Sequence, residues 1–231
     1  MRIAFSGAAC TGKSTTLQAF LNRWPQYRIP QPSYRSLITE KNHSKNTTAK
    51  LQREILEFMI KQQNEFTLHD NVVYDRCVLD NIVYSVWAHD KGKKGFTEKY
   101  INESISLVHR GMRTLDIIFF MTRENMGPVE NNNIREVDPG YIVETDNLFR
   151  AAALQLSARG ASPFFPHNDS PALIELSGST AERLKQIAMY VTPEGHMFGE
   201  DQSLINMDQI SKMEQLIRQQ KDMAKKEKGI L

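Results

Sequence analysis

Cysteine occurs only twice in the 231 residues, at Cys10 and Cys77, and neither belongs to a pair spaced as metal ligands or to a disulfide framework. That excludes a small disulfide-stapled secreted domain and favours a reducing, intracellular setting. Long apolar runs are missing too: no segment approaches the roughly 18 apolar residues of a membrane span. The opening MRIAFSGAAC is too short an apolar run for a secretory signal, so no membrane association is expected and the chain reads as cytoplasmic. Nor does charge of one sign dominate. Against 27 Asp and Glu stand 29 Lys and Arg, and a balance of +2 is too weak to imply nucleic acid or an anionic surface on charge alone. What remains is ordinary: 40% hydrophobic and 24% charged residues argue against wholesale disorder, and the length suits one substantial α/β domain, with or without an appendage.

Local pattern orders the chain. RIAFS at 2–6 is β-prone and ends at a glycine, and a helix-compatible segment follows from Lys13 to about Arg23. YRIPQP at 27–32 carries two prolines and can hold at most a short strand. Thr47 and Thr48 are caps for a long helix running to about His69, and VVYD at 72–75 reads as a buried strand with its acid at the C-terminal end. Helices are predicted from about Val78 to His89 and from near Thr97 to about Arg110. Between them lies the basic turn KGKKG at 91–95. TLDIIFFMT at 114–122 is the strongest strand, apolar throughout as central parallel strands require. The polar stretch MGPVENNNIREVDPG at 126–140 then reads as a lid, bounded at about 123–146, with helical character resuming at about 144–158. A last strand and helix fall at 172–178 and 180–190. This alternation predicts an α/β fold, a three-layer α/β/α sandwich with a mainly parallel sheet over 1–191. Residues 192–231 form a linker and C-terminal helical tail, in which Ile210, Met213, Ile217 and Ala224 make a narrow apolar stripe. Such a helix either packs back on its own domain or forms a homodimer through a short coiled coil.

GAACTGKST, residues 7–15, carries the chemistry. Gly7, Gly12, Lys13 and Ser14 satisfy G-x-x-x-x-G-K-[ST] after a predicted strand and before a predicted helix, the context this phosphate-binding motif demands. The glycines let backbone N–H groups from Gly7, Ala8, Ala9, Cys10, Thr11, Gly12 and onward through Ser14 and Thr15 turn inward around a polyphosphate. The following helix adds a favourable dipole, and Lys13 reaches the outer phosphate oxygens. ATP is the implied nucleotide, and Ser14 the implied ligand of Mg²⁺.

A phosphate loop serves motors, switches and kinases alike. A motor-type ATPase is expected to show an apolar strand ending in paired acids that orient water, and neither VVYDRC nor TLDIIFFMT provides the pair. VVYDRC ends in Asp75-Arg76 instead, followed by Asp80. With Lys13 and its loop, and the late ELSGSTAERL, this resembles the P-loop nucleoside and nucleotide kinases over about residues 1–190. The likeness is nearest to the thymidylate kinase, deoxynucleoside kinase and ribosylnicotinamide kinase branches, and to phage ATP-binding proteins of AAA-like type.

The resemblance implies roles. Asp75 is the candidate base or metal-linked acid and Arg76 the candidate phosphate clamp, while Arg135 is the candidate lid arginine, with Arg123 and Arg150 as further candidates of that kind. Ser177 and Gly178 fall where relatives bring backbone close to adenine, and Tyr34 and Arg35 where relatives contact the acceptor. Asp80 either faces the acceptor or is a solvated helix residue. The chain departs from the group at QPSYR, where many relatives carry a glutamate a few residues before the arginine, and this moves the catalytic burden toward Asp75. The expectation is an ATP- and Mg²⁺-dependent kinase acting on a small-molecule nucleoside, nucleotide or similar acceptor. One variant phosphorylates a hydroxymethylated pyrimidine in DNA, with KGKKG and the tail lysines on the DNA backbone. An alternative from another class is an ATPase or nucleotide-sensing module acting on a protein partner.

Overall fold

The computed structural model describes residues 1–38, 44–123, 138–159 and 162–197. Four strands, β1 (Arg2–Ser6), β2 (Val72–Asp75), β3 (Ile117–Met121) and β4 (Ala172–Leu176), make one sheet in the order β2-β1-β3-β4. Every pairing is parallel, with Phe5 opposite both Asp75 and Phe119. The chain leaves β1 toward one side of the sheet and later returns on the other. A crevice therefore opens beyond the C-terminal end of β1, where ligands sit in sheets of this kind.

Side-chain alternation divides the core. Ile3, Phe5, Val73, Ile117 and Phe119 face α1 (Lys13–Arg23) and α6 (Thr180–Ile187), in a cluster with Leu17, Phe20, Trp24 and Ile187. Ala4, Val72, Tyr74, Ile118 and Phe120 face the other layer, which holds α2 (Ala49–Gln63), α3 (Val78–Asp90), α4 (Glu98–Met112) and α5 (Pro139–Arg159). This is the predicted α/β/α sandwich, and it is why the strands read as continuous apolar runs: both faces are covered.

Several predicted boundaries hold because local chemistry sets them. The Thr48 side chain accepts the Leu51 amide at 3.2 Å and Thr97 accepts Tyr100 at 3.2 Å, each opening a helix. Three expectations are corrected. The short strand at 27–32 reduces to one parallel bridge, Arg28 to Val72, since Pro30 and Pro32 donate no ladder hydrogen bonds. The helix predicted to run to about His69 stops at Gln63, where Asn64 ends it and Asp70 organises the following turn by accepting from Thr67 at 2.8 Å. The helix expected from about 144 begins at Pro139, so the second part of the predicted lid is α5; Pro at a first helical position lacks only an N–H that would have no partner there. Its start is pinned by Asp138, which accepts the Gly140 and Tyr141 amides at 2.9 and 3.2 Å.

Beyond β4 and α6 the chain folds back. Thr192 and Gly195 carbonyls accept from Trp24 Nε1 at 2.8 Å and Tyr27 Oη at 2.7 Å, fastening residues 192–197 to the end of α1. Residues 124–137, most of the expected lid with Arg135, and residues 198–231, with the expected homodimer helix, lie outside the described residues. Among the described residues no helix is long and apolar enough to cross a membrane.

Candidate functional site

The phosphate loop leaves β1 at a point of extreme crowding. A Cβ on Gly7 would stand 2.2 Å from the carbonyl oxygen of Met121 on β3, and Gly7 has φ 131°, so only glycine fits. Cys10 and Gly12 also adopt positive φ, 59° and 79°. Such alternation turns successive amides to one side and forms an anion-binding concavity. Gly12 caps α1, whose first turn closes with the Thr16 amide donating to Gly12 at 2.9 Å. Ser14 and Thr15 are exposed on that turn, Ala8 and Thr11 are buried, and Ala9, Cys10 and Gly12 are half-buried.

Lys13 is folded into the loop. Its Nζ donates to the Ala8 carbonyl and to Thr11 Oγ1 at 3.1 Å, and the side chain is 6% exposed. Burial, and after it the charge on Arg76, push its pKa down to about 7. Two cations, the Lys13 ammonium and the Arg76 guanidinium, thus repel one another across the loop, and an anion placed between them would relieve that repulsion.

Arg76 follows β2 in a conformation unusual for a side-chain-bearing residue, φ 79°. Its amide continues the ladder to Phe5 at 3.0 Å, and the twist aims the guanidinium across the sheet end. Nη1 donates to the Gly7 carbonyl at 3.2 Å, Asp80 Oδ1 at 2.6 Å and Tyr84 Oη at 2.9 Å. Burial works against its charge, but Tyr84, Tyr34, Asp80 and Asp75 outweigh it and keep the guanidinium firmly protonated. The structure thus places Arg76, the clamp candidate of the sequence, against the first carbonyl of the phosphate loop. It places Asp80 behind them: 1% exposed, the carboxylate pairs with Arg76 and caps α3 by accepting the Cys77 amide at 3.1 Å. Neither the acceptor-facing nor the solvated position weighed from the sequence describes it. Burial, and after it the Asp80 charge, push the Cys77 thiol far above its ordinary range and so favour the protonated form.

Asp75 ends β2 on the open side. Oδ2 accepts Arg35 Nη2 at 2.9 Å, while Oδ1 is buried without a hydrogen-bond partner. Arg35 sits on the 3₁₀ turn Tyr34–Leu37, which Ser33 opens by accepting the Arg35 amide at 3.3 Å. Tyr34, Met59, Gln62, Tyr74, Asp75 and Arg76 line a shallow cleft that opens to solvent. Tyr34 and Arg35 therefore meet Asp75 and Arg76 at one cleft, though they come from a segment 40 residues away in sequence.

Across the site, Ser177 and Gly178 follow β4. Gln186 holds this turn by accepting the Ser177 amide and donating to the Ser177 carbonyl, both at 3.1 Å, and Gly178 has φ 80°. Ser179 and Glu182 complete a reciprocal cap of α6. Arg183, one residue on, was not singled out in the sequence: it is buried and its Nη1 donates to the Thr11 carbonyl at 2.8 Å. The available signal was its place on the apolar face of α6, four residues before buried Ile187. Past the end of β3, Asp146 accepts the Arg123 amide at 3.2 Å and Arg150 Nε at 2.9 Å.

Two of the three lysines of the basic turn weighed for a DNA backbone have partners within the chain. Lys91 donates to Glu144 at 2.6 Å, and Lys93 donates to the Lys45 carbonyl and lies over the Trp87 ring. Those lysines fasten the turn to α5 and to the segment before α2.

The protein shares its fold with solved nucleoside and nucleotide kinases. A deoxyadenosine kinase from M. mycoides is 17% identical, with a TM-score of 0.55 over 81% of this chain and 96% of that one. A thymidylate kinase from Candida albicans is 15% identical, with a TM-score of 0.55 over 80% and 88%. At such identities the likeness is one of fold. No curated protein matches the sequence. The family model described as an AAA domain matches residues 2–160, from the start of β1 through the phosphate loop, Asp75-Arg76 and α5, and the chain belongs to that family.

Proposed function

We propose that the protein is an ATP- and Mg²⁺-dependent phosphotransferase acting on a nucleoside, nucleotide or nucleotide-like acceptor. The observation that carries this reading is the junction of Arg76 with Gly7: a guanidinium 3.2 Å from the phosphate loop's first carbonyl, beside an acid and an open cleft. Transfer of a phosphoryl group is mainly positioning and neutralisation of charge, and an enzyme that transfers to an acceptor needs that acceptor's binding wall next to the donor phosphates. The cleft lined by Tyr34 and Asp75 supplies a wall on the Arg76 side. The kinase folds of the two solved relatives support the same reading.

Within it, the loop amides and Lys13 hold the donor phosphates, and Arg76 balances charge on the group in transfer. Asp75 accepts the proton of the acceptor hydroxyl or orients it, with Arg35 fixing the carboxylate. The residues also fit a magnesium ion: Ser14 is exposed at the loop, Asp75 Oδ1 is a buried oxygen without a partner, and Mg²⁺ needs few protein ligands when phosphates and waters complete its shell. When bound, the ion neutralises charge on the donor phosphates. Ser177 with Gly178 borders the base of ATP.

The test uses ATP labelled at the γ-phosphate with nucleosides, nucleoside monophosphates, nicotinamide riboside and hydroxymethylated DNA. Label on an acceptor supports the kinase, and label on the DNA alone would select the DNA-modifying variant. Release only as free phosphate at useful rates would favour an ATPase and sink the proposal.

A further inference from the structure

Arg183 sits in an environment that ordinary packing does not explain. It is 4% exposed on α6, and its Nη1 touches the Thr11 carbonyl at 2.8 Å, Thr16 Oγ1 at 3.3 Å and Met121 Sδ at 3.4 Å. All three partners are neutral, and Nε is buried with no hydrogen-bond partner. Among the described residues no carboxylate forms an ion pair with it. Burial lowers its pKa with no neighbouring charge to oppose the effect. An unpaired buried guanidinium is costly, and an apolar side chain of the same length would fill the space without that cost.

What the charge gains is set by where its partners lie. Thr11 is in the phosphate loop, Thr16 in the first turn of α1, and Met121 at the end of β3, whose carbonyl abuts Gly7. One nitrogen therefore joins the three pieces that form the anion-binding concavity. The Thr11 carbonyl and the Gly12 N–H belong to one trans peptide, so they point in opposite directions. Drawing the carbonyl back toward α6 turns the Gly12 N–H toward the concave side, where a phosphate oxygen would be met.

We infer that Arg183 is a positioning residue for the phosphate loop, fixing the Thr11–Gly12 peptide and the start of α1 in their receiving geometry and adding, from behind the loop, a positive charge that a bound polyphosphate offsets. The inference rests on the nucleotide reading of that loop. It also gives α6 two duties at once, because the same helix carries Gln186 and Glu182, which hold the turn at Ser177–Ser179. Phosphate loop and base-side turn are thereby mounted on a common support.

Calorimetric binding of ATP, ADP and AMP to the full chain tests this in wild type, R183M and R183K, alongside thermal melts. R183M should bind ATP about tenfold more weakly, the scale of one hydrogen-bonded charge, with a smaller loss for ADP and none for AMP. R183K should fall between wild type and R183M, having kept the charge but not the fork. If R183M does not fold, R183K is read on the same scale: an ATP-to-AMP affinity ratio below wild type supports the inference, and an unchanged ratio overturns it. A residue that merely filled space would lower the melting temperature and leave that ratio alone. Wild type that fails to bind ATP removes the nucleotide reading and this inference together, whereas wild type that binds while R183M keeps the ratio overturns this inference only.

Discussion

Arg76 Nη1 and Asp80 Oδ1 stand 2.6 Å apart, and the other oxygen of the same carboxylate accepts the Cys77 amide at 3.1 Å. One buried acid thus holds the guanidinium beside Gly7 and caps the helix that follows it. Asp80→Asn keeps the shape and removes the charge, leaving Arg76 buried without its counter-ion. We expect a loss of about 3 kcal/mol, as for a buried pair deprived of one member. It would appear as a lower urea midpoint at unchanged slope, with phosphate transfer reduced in the protein that remains folded.

Asp75 differs from Asp80 in having an oxygen to spare. Asp75→Asn retains an acceptor for Arg35 but loses the charge and the basicity. Transfer should fall at least about 100-fold, the contribution of a positioned base or acid, with ATP affinity little changed. Transfer retained at the wild-type rate would take Asp75 out of the reaction.

The depressed Lys13 gives opposite pH trends for binding and stability. Its pKa of about 7 in the free protein must rise when an anion is bound, since the phosphates favour the ammonium. Above pH 7 binding therefore takes up a proton, and ATP affinity should fall as pH rises. Calorimetry in buffers of different ionisation enthalpy measures the uptake. In the unfolded chain the lysine titrates near 10.5, so between about 7 and 10.5 the unfolded state holds more protons on this group. Its contribution to the stability of the free protein thus grows with pH over that window. Lys13→Met should flatten both trends.

Gly7→Ala tests the loop's exit from the sheet. The new methyl would meet the Met121 carbonyl at 2.2 Å in a backbone conformation that alanine resists. A cost above about 3 kcal/mol is expected from clash and strain together. Gly92→Ala is the matched control, because it too has positive φ but nothing lies within 4 Å of the added atom. Comparable melting temperatures for the two variants would contradict the crowding argument.

Much of this could be seen in the chain itself because the signals were local. β2 and β3 announce themselves by apolar runs buried on both faces, and Thr48 and Thr97 mark helix starts through their own side chains. GAACTGKST needs only its glycines and lysine to be read. The segment 27–32 was overestimated because an extended backbone and a paired strand look alike until a neighbour is found, and its two prolines leave only the Arg28 bridge. Long-range partners were invisible. Arg35 reaches Asp75 across 40 positions, and Arg183 reaches Thr11 across 172. No spacing rule connects such residues; the sheet order does. Asp80 shows the reverse case, a residue noticed for its charge whose role is fixed by burial.

The strand order also distributes stiffness unevenly. β1, which launches the phosphate loop, is laddered on both sides, whereas β2, which delivers Asp75, has β1 on one side and the single Arg28 bridge on the other. Openings of the backbone begin where neighbours are fewest, so amide exchange should grade from slow in β1 to faster along the outer edge of β2. The two sides of the crevice are thus unequally braced: the strand that bears the phosphate loop is held from both flanks, and the strand that bears Asp75 from little more than one.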